Sequence, residues 1–382
     1  MNLKKTNILS NKGFLTLLAS LLCIVLGILI GFVVLLCIEP SGAAGAIGAI
    51  LKNFMTYPDK KVALQYFGST LVKTVPLLMC SLSVLFAYKV GLFNIGASGQ
   101  YTVGAGAALF LALQFHMPWY VCIIAAALTA GLLGAASGAL KAYLNVNEVI
   151  ACIMLNWISL YLINMLLLKV KDSATTYTKT LTGSFKVALI PSLGLNHLFA
   201  ENKYVTIALP LAVVIAIVVW IILDKTKLGY ELKATGLNKN AARYAGMKEK
   251  KNTILTMFIA GALAGIGAAF YFLSGIEQWS CSQTSVPGMG FNGIAAAFLG
   301  GLNPIGSIFA SFFIQHITSG GSYVDKMTYC SQISDLITAI IIYLCGFVLI
   351  FKAFFGNLFD KLMSEKKQSD GNGQAVKGGE AS

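Results

Sequence analysis

A polytopic all-α membrane protein is the fold class this sequence predicts, and three observations carry it. Of the 382 residues, 57% are hydrophobic and only 11% are charged, against about 25% charged in an average soluble domain. Apolar runs of about 18 or more residues, enough for a helix to cross a bilayer core, recur along nearly the whole chain. Lysines concentrate between these runs and at the termini, and mean hydropathy is +0.76.

Taken in order, hydropathy places spans near 14–38, 63–88, 96–115, 119–143, 149–168, 204–223, 253–273, 288–302, 304–319 and 334–356. That makes about ten, within a range of roughly eight to eleven, because several middle segments are short or glycine-rich. The first run follows Lys4, Lys5 and Lys12 and resembles a signal sequence. It is longer than the roughly 7–15 apolar residues of a cleavable leader, so a retained helix is expected. Residues 42–55 are small and weakly apolar, which suits an interfacial helix. Residues 1–362 form one membrane unit, and the polar, glycine-rich stretch 363–382 is expected to be a disordered tail.

The formal net charge is +13. No basic-aromatic pattern for nucleic acid occurs, and lysines between spans point instead to orientation and contact with membrane lipids. Eight Lys/Arg lie between Lys225 and Lys251. Both termini are basic too, so all three regions are expected on the cytoplasmic side. Lys169, Lys171, Lys179, Lys186 and Lys203 then fall outside, against the trend; long translocated loops obey it poorly. Lys89 and Lys141 are expected to snorkel, and Lys73 is placed toward an aqueous cavity.

Six of the eight cysteines sit within apolar runs, where a free thiol behaves as a small hydrophobe. Cys281 and Cys330 fall in segments placed outside; a bridge between them is open, and the unpaired state is favoured. His116, His197 and His316 have no ligand spacing, so no metal site is expected. There is no Gly-Lys dipeptide and hence no Walker A loop. If ATP drives this chain, another subunit binds it. No His/Asp/Glu cluster supports catalysis, and no cofactor is expected.

Two polar foci interrupt the apolar pattern. Gly91-Leu-Phe-Asn94-Ile-Gly-Ala-Ser98-Gly-Gln100 joins two spans, and irregular polar backbone at membrane depth must be buried in protein or line a watery cavity. Asn147-Glu148 opens the next helix, with Asn156 two turns on. Glu148 either favours the positive helix end or serves the pathway. A third stretch, from Gly288 through Asn292 to Gly306, is again glycine-interrupted, and such pairs point to a midplane site. On the basic segment, Gly229–Gly246 reads as two short helices joined at Gly236-Leu237-Asn238, with Asn238 as N-cap and Gly246 as stop.

The pieces Gly91–Gln100, Val146–Val149 with Met154–Asn156, Ala241–Gly246 and Ala295–Gly301 together resemble the ABC-transporter permeases of the branched-chain amino acid and simple-sugar importer superfamily, closest to its nucleoside-importer branch. The family usually carries Glu where this chain has Ser98, so no carboxylate role transfers there. The resemblance implies a membrane subunit that imports a nucleoside or related sugar-containing solute. It also implies a second permease or second copy, ABC ATPase subunits and an external solute-binding lipoprotein. By that resemblance Asn94, Gln100, Asn147 and Asn156 stand on the solute pathway, and Ser98, Glu148 and Asn292 are placed there with them by the polar stretches that hold them. Glu231, Gly236, Ala241, Ala242, Arg243 and Gly246 couple to the ATPase. The rivals are an ion-driven secondary transporter, which needs coupling carboxylates in its spans, and a membrane enzyme.

Overall fold

The computed structural model describes residues 12–325, 329, 333–348, 350, 351, 353, 354, 356 and 357. The tail 363–382, Cys330, and the terminal lysines Lys4, Lys5, Lys352, Lys361, Lys366 and Lys367 lie outside the described residues. Every expected span contains helix among the described residues, the last of them, 334–356, over Ile333–Cys345. Six helices are long and apolar enough to cross a membrane. These are α1 (Lys12–Ile38), α3 (Lys60–Lys89), α5 (Trp119–Leu144), α6 (Glu148–Leu167), α7 (Ala208–Lys225) and α10 (Glu249–Phe272). Around them stand α2 (Ala43–Lys52), α4 (Ala97–Phe115), α8 (Lys227–Leu237), α9 (Lys239–Tyr244), α11 (Met289–Leu299), α12 (Pro304–Gly320) and α13 (Ile333–Cys345).

Four expected spans fall outside these six: α12 and α13 are 17 and 13 residues long, and two others differ further from simple crossings. At 1.5 Å per residue α11 is about 16 Å long, half a bilayer core, so the stretch 288–302 is a half-span ending at Gly300-Gly301. The other is α4, which is long enough but carries Ser98, Gln100, Thr102 and three glycines. It is buried on most sides by protein and so has no need of a lipid-compatible surface.

The bundle is organised around α3 and α10. In α3 the apolar window is 89% buried, whereas that of α7 is 28% buried. The peripheral helices turn Ile124 and Leu128 (α5), Ile158 and Leu162 (α6), and Val214 and Val218 (α7) outward. These apolar faces suit lipid, which supplies no hydrophobic drive between helices, so packing must hold them together. Small residues at the helix seams do this. Gly134 of α5 lies against α10 so closely that a Cβ there would stand 2.1 Å from the Met257 carbonyl oxygen. From the facing side, a Cβ on Gly261 would stand 2.3 Å from the Ala130 carbonyl oxygen. Gly27 and Gly31 of α1 meet Ile341 and Ile337 of α13 in the same manner.

One end of the bundle carries α8 and α9, hereafter the basic end. The opposite end is capped by the loop 171–206, which lacks α-helix and is tied down by main-chain bonds, including Thr178 N–H to the Trp279 carbonyl at 2.9 Å. Trp279 is fully buried, and its indole N–H donates to Asn164 Oδ1 at 2.9 Å. Cys281 is a buried free thiol beneath this cap. Lys73 is half-buried on α3 and has no ion-pair partner among the described residues.

Replacing Gly134 by Leu should force α5 off α10 and destabilise the protein by about 1–3 kcal/mol or more, read as a lower unfolding temperature in detergent. Gly45 of α2 has open space around it. Its replacement by Ala should leave that temperature unchanged or raise it, since helical Gly→Ala gains about 0.5–1 kcal/mol.

Candidate functional site: a buried amide knot facing a basic helical hairpin

Between α3 and α4 the chain runs non-helically through Gly91–Gly96, and its polar side chains fold into one another. Asn94 Nδ2 donates to Gln100 Oε1 at 2.8 Å, and Gln100 Nε2 donates back to Asn94 Oδ1 at 3.1 Å. Asn94 Nδ2 also donates to Ser83 Oγ of α3 at 3.0 Å. From α6, Asn156 accepts from the Gly99 amide at 2.9 Å and donates to the Ile95 carbonyl at 3.2 Å. All four side chains are essentially inaccessible. The physical task is plain. This stretch leaves backbone groups without helical partners inside the protein, and amides, which both donate and accept, satisfy them.

Three of the expected pathway residues, Asn94, Gln100 and Asn156, therefore come together, with Ser98 beside them. Their hydrogen bonds close on the chain itself. Ser98 Oγ is buried without a hydrogen-bond partner among the described residues, as is Ser81 Oγ on α3. Both lie against the glycine face of α11. A Cβ on Gly290 would stand 2.4 Å from Ser98 Oγ, and one on Gly293 would stand 3.0 Å from the Ser81 nitrogen.

Asn147 and Glu148 stand apart from the knot, at the end of α6 nearer the basic end. Asn147 caps α6, accepting from Val149 N–H at 2.9 Å, and is exposed. Glu148 pairs with Lys141, so that lysine is held by a carboxylate rather than reaching out to a headgroup. Asn292 is half-buried on α11 and makes no side-chain bond within the described residues.

The hairpin at the basic end forms as its residues suggest. Asn238 caps α9, accepting from Ala241 N–H at 3.0 Å, and Gly246 ends it at φ +80°. Ala242 is buried, while Ala241 and Arg243 are exposed. Leu237 is 89% exposed and Tyr244 94% exposed, which leaves large apolar side chains at the tip. Glu231 pairs with Lys227, and Lys233 with Asp224. Lys239, Arg243, Lys248 and Lys251 have no acidic partner among the described residues.

Hairpin and knot meet through bare backbone. A Cβ on Gly236 would stand 2.0 Å from the Val90 carbonyl oxygen, and one on Gly91 would stand 2.9 Å from the Gly236 carbonyl oxygen. Gly91 also sits at φ +76°, where a side chain is strained. A second tie fixes the same place: buried Asn252 of α10 donates to Thr235 of α8 at 2.9 Å. Sequence reasoning missed Ser83, Thr235, Asn252 and Lys141 as partners. Each is an ordinary polar residue whose meaning appears only with its neighbour from another helix.

Replacing Asn94 alone by Leu strands the Gln100 amide and should cost about 1–3 kcal/mol for each buried group left unpaired. Replacing Asn94 and Gln100 together by Leu should cost less than the sum of the two single changes. Thermal unfolding of the four proteins in detergent measures the coupling, and additive losses would show that the pair is not a unit.

Comparison with known proteins places this architecture. The profile described as branched-chain amino acid transport system / permease component matches residues 66–346. A protein of Bacillus subtilis named guanosine ABC transporter permease protein is 31% identical over 331 residues, 85% of this chain and 92% of that one. The nucleoside ABC transporter permease protein NupB of Lactococcus lactis subsp. cremoris is 36% identical over 289 residues, 72% of this chain and 78% of that one. The glucose ABC transporter permease protein of Haloferax volcanii is 31% identical over 277 residues, 68% of this chain and 70% of that one. No solved structure matches. With a profile covering most of its length and relatives aligned nearly end to end, the chain belongs to the permease family of the branched-chain amino acid transport system.

Proposed function

We propose that this chain is the membrane-spanning subunit of an ATP-driven importer that carries nucleosides inward. The observation that carries the reading is the near full-length similarity to a permease named for guanosine, reinforced by a second named for nucleosides. The chain lacks a nucleotide-binding loop, so hydrolysis falls to ATPase subunits on the cytoplasmic face. The basic end, rich in Lys and Arg, is that face, with both termini on the same side. A second permease, sibling or copy, and an external solute-binding lipoprotein complete the assembly. The ion-driven alternative finds little support, since Glu148, the acidic residue that opens α6, is held by Lys141.

In this reading α8 and α9 form the coupling element. Leu237 and Tyr244 project as an apolar tip surrounded by free cations, a surface suited to a cleft in a partner. Glu231, Gly236, Ala241, Ala242, Arg243 and Gly246 shape it. Closure of the ATPase pair would displace the tip, and the Gly236–Val90 contact would pass that displacement to the stretch Gly91–Gln100. Asn94, Gln100 and Asn156 then act by keeping that stretch one rigid body as the pathway opens. Asn147 and Glu148 anchor the inner end of α6.

Uptake by the reconstituted complex tests the solute. Guanosine, adenosine and uridine should accumulate with ATP in the vesicle lumen, where the ATPase subunits face, while glucose and leucine should not. Exclusive uptake of glucose would overturn the nucleoside assignment, and uptake by this chain without ATP would overturn the ATP-driven one.

Replacing Gly246 by Val puts a β-branched side chain at positive φ, a strain of roughly 1–3 kcal/mol. Uptake should fall at least about tenfold, and solute-stimulated ATP hydrolysis with it, while the protein remains inserted and assembled. Normal coupled uptake in this variant would remove the hairpin from the coupling path.

A further inference from the structure

The stretch between the cap and α11 makes an unusual descent. Asn164 near the far end of α6 donates to the Gln283 carbonyl at 2.8 Å. By Gly290 the chain has reached Ser98, whose neighbour Gly99 is bonded to Asn156. Asn156 and Asn164 lie eight residues apart on α6, about 12 Å along its axis. Because Glu148–Val170 is one of the candidate spans, residues 283–290 travel that depth inside the membrane.

Up to Gly288 they do so without helix, and Gln283, Val286 and Pro287 are only half-buried. Ser282, Thr284, Ser285 and Gly288 are exposed, and Asn292 is half-buried. The backbone N–H groups of Thr284, Ser285 and Val286 have no partner among the described residues; Gln283 Nε2 to the Ser285 carbonyl, at 2.9 Å, is the local side-chain bond. Unpaired backbone facing lipid is prohibitively unfavourable, so such a stretch must face water or solute. The knot of Asn94, Gln100 and Asn156 differs in being buried and internally satisfied.

We propose that residues 282–288, with Phe291 and Asn292 at the start of α11, form the solute-contacting wall of the translocation pathway. The wall's chemistry is that of a neutral, hydroxylated ligand. From Cys281 to Leu302 no residue is charged, so free N–H groups, hydroxyls and the Asn292 amide can bond sugar hydroxyls without trapping an ion. Phe291, exposed beside Asn292, presents a ring to a planar base. The solute assignment rests on the importer reading above; the water-facing position of the segment does not.

Single cysteines at Thr284 and Ser285, placed in a cysteine-free chain that retains uptake, test this in the assembled, reconstituted complex. A charged, membrane-impermeant thiol reagent should modify Thr284→Cys and Ser285→Cys at least about tenfold faster than Leu128→Cys on the outward face of α5, which lipid should shield. Saturating guanosine should slow the first two and leave the third unchanged. Rates equal to that of Leu128→Cys would overturn the proposal, because the segment would then be covered by lipid or by the second permease. Fast labelling unaffected by guanosine, in vesicles that accumulate guanosine, would equally overturn it. If the parent vesicles do not take up guanosine, the nucleoside reading alone fails, and protection is read with the solute they do accumulate.

Discussion

A backbone that leaves the helix inside a membrane must have its polar groups met by something other than lipid, and that constraint shapes this protein. It is met in two opposite ways. Around Gly91–Gln100 the chain supplies its own partners: the reciprocal Asn94–Gln100 pair, the Ser83 hydroxyl, and Asn156 from a neighbouring helix. Around residues 282–288 the N–H groups of Thr284, Ser285 and Val286 have no partner among the described residues, and Ser282, Thr284, Ser285 and Gly288 are exposed. A satisfied break is rigid and can carry force; an unsatisfied one is open to a ligand. The two breaks meet at Ser98 and Gly290, where main chain packs on main chain.

Close backbone packing is the second theme. Lipid tails are as apolar as leucine side chains, so helices in this bundle gain by fitting rather than by leaving water. The seam between α5 and α10 depends on glycines facing carbonyl oxygens, and so does the contact of Gly236 with Val90. The first is a permanent joint. The second links a solvent-facing hairpin to the membrane interior through two residues without side chains, a joint that shifts only as a unit.

Much of the fold could be read in advance, because hydropathy reports burial in lipid directly. The breaks at Gly91–Gln100 and near Gly300, and the cap and stop of α9 at Asn238 and Gly246, were visible as local chemistry. The half-length of α11 was not, since hydropathy does not register where a helix begins after Pro287-Gly288. Nor was the pairing of Glu148 with Lys141, because the two residues are joined by a turn whose geometry no local signal prescribes.

What the sequence by itself determined is the class: a many-helix membrane chain without a Walker A nucleotide loop. Its short motifs also pointed to the right family. What only the tertiary structure decided is which polar residues are occupied and which are free. Asn94 and Asn292 are the same residue type in similar glycine-rich surroundings, yet one is buried and bonded to α3 and α4, while the other is half-buried and makes no side-chain bond among the described residues. Hydrogen-bond satisfaction is a property of neighbours brought from distant parts of the chain, and composition along a single segment carries no trace of it.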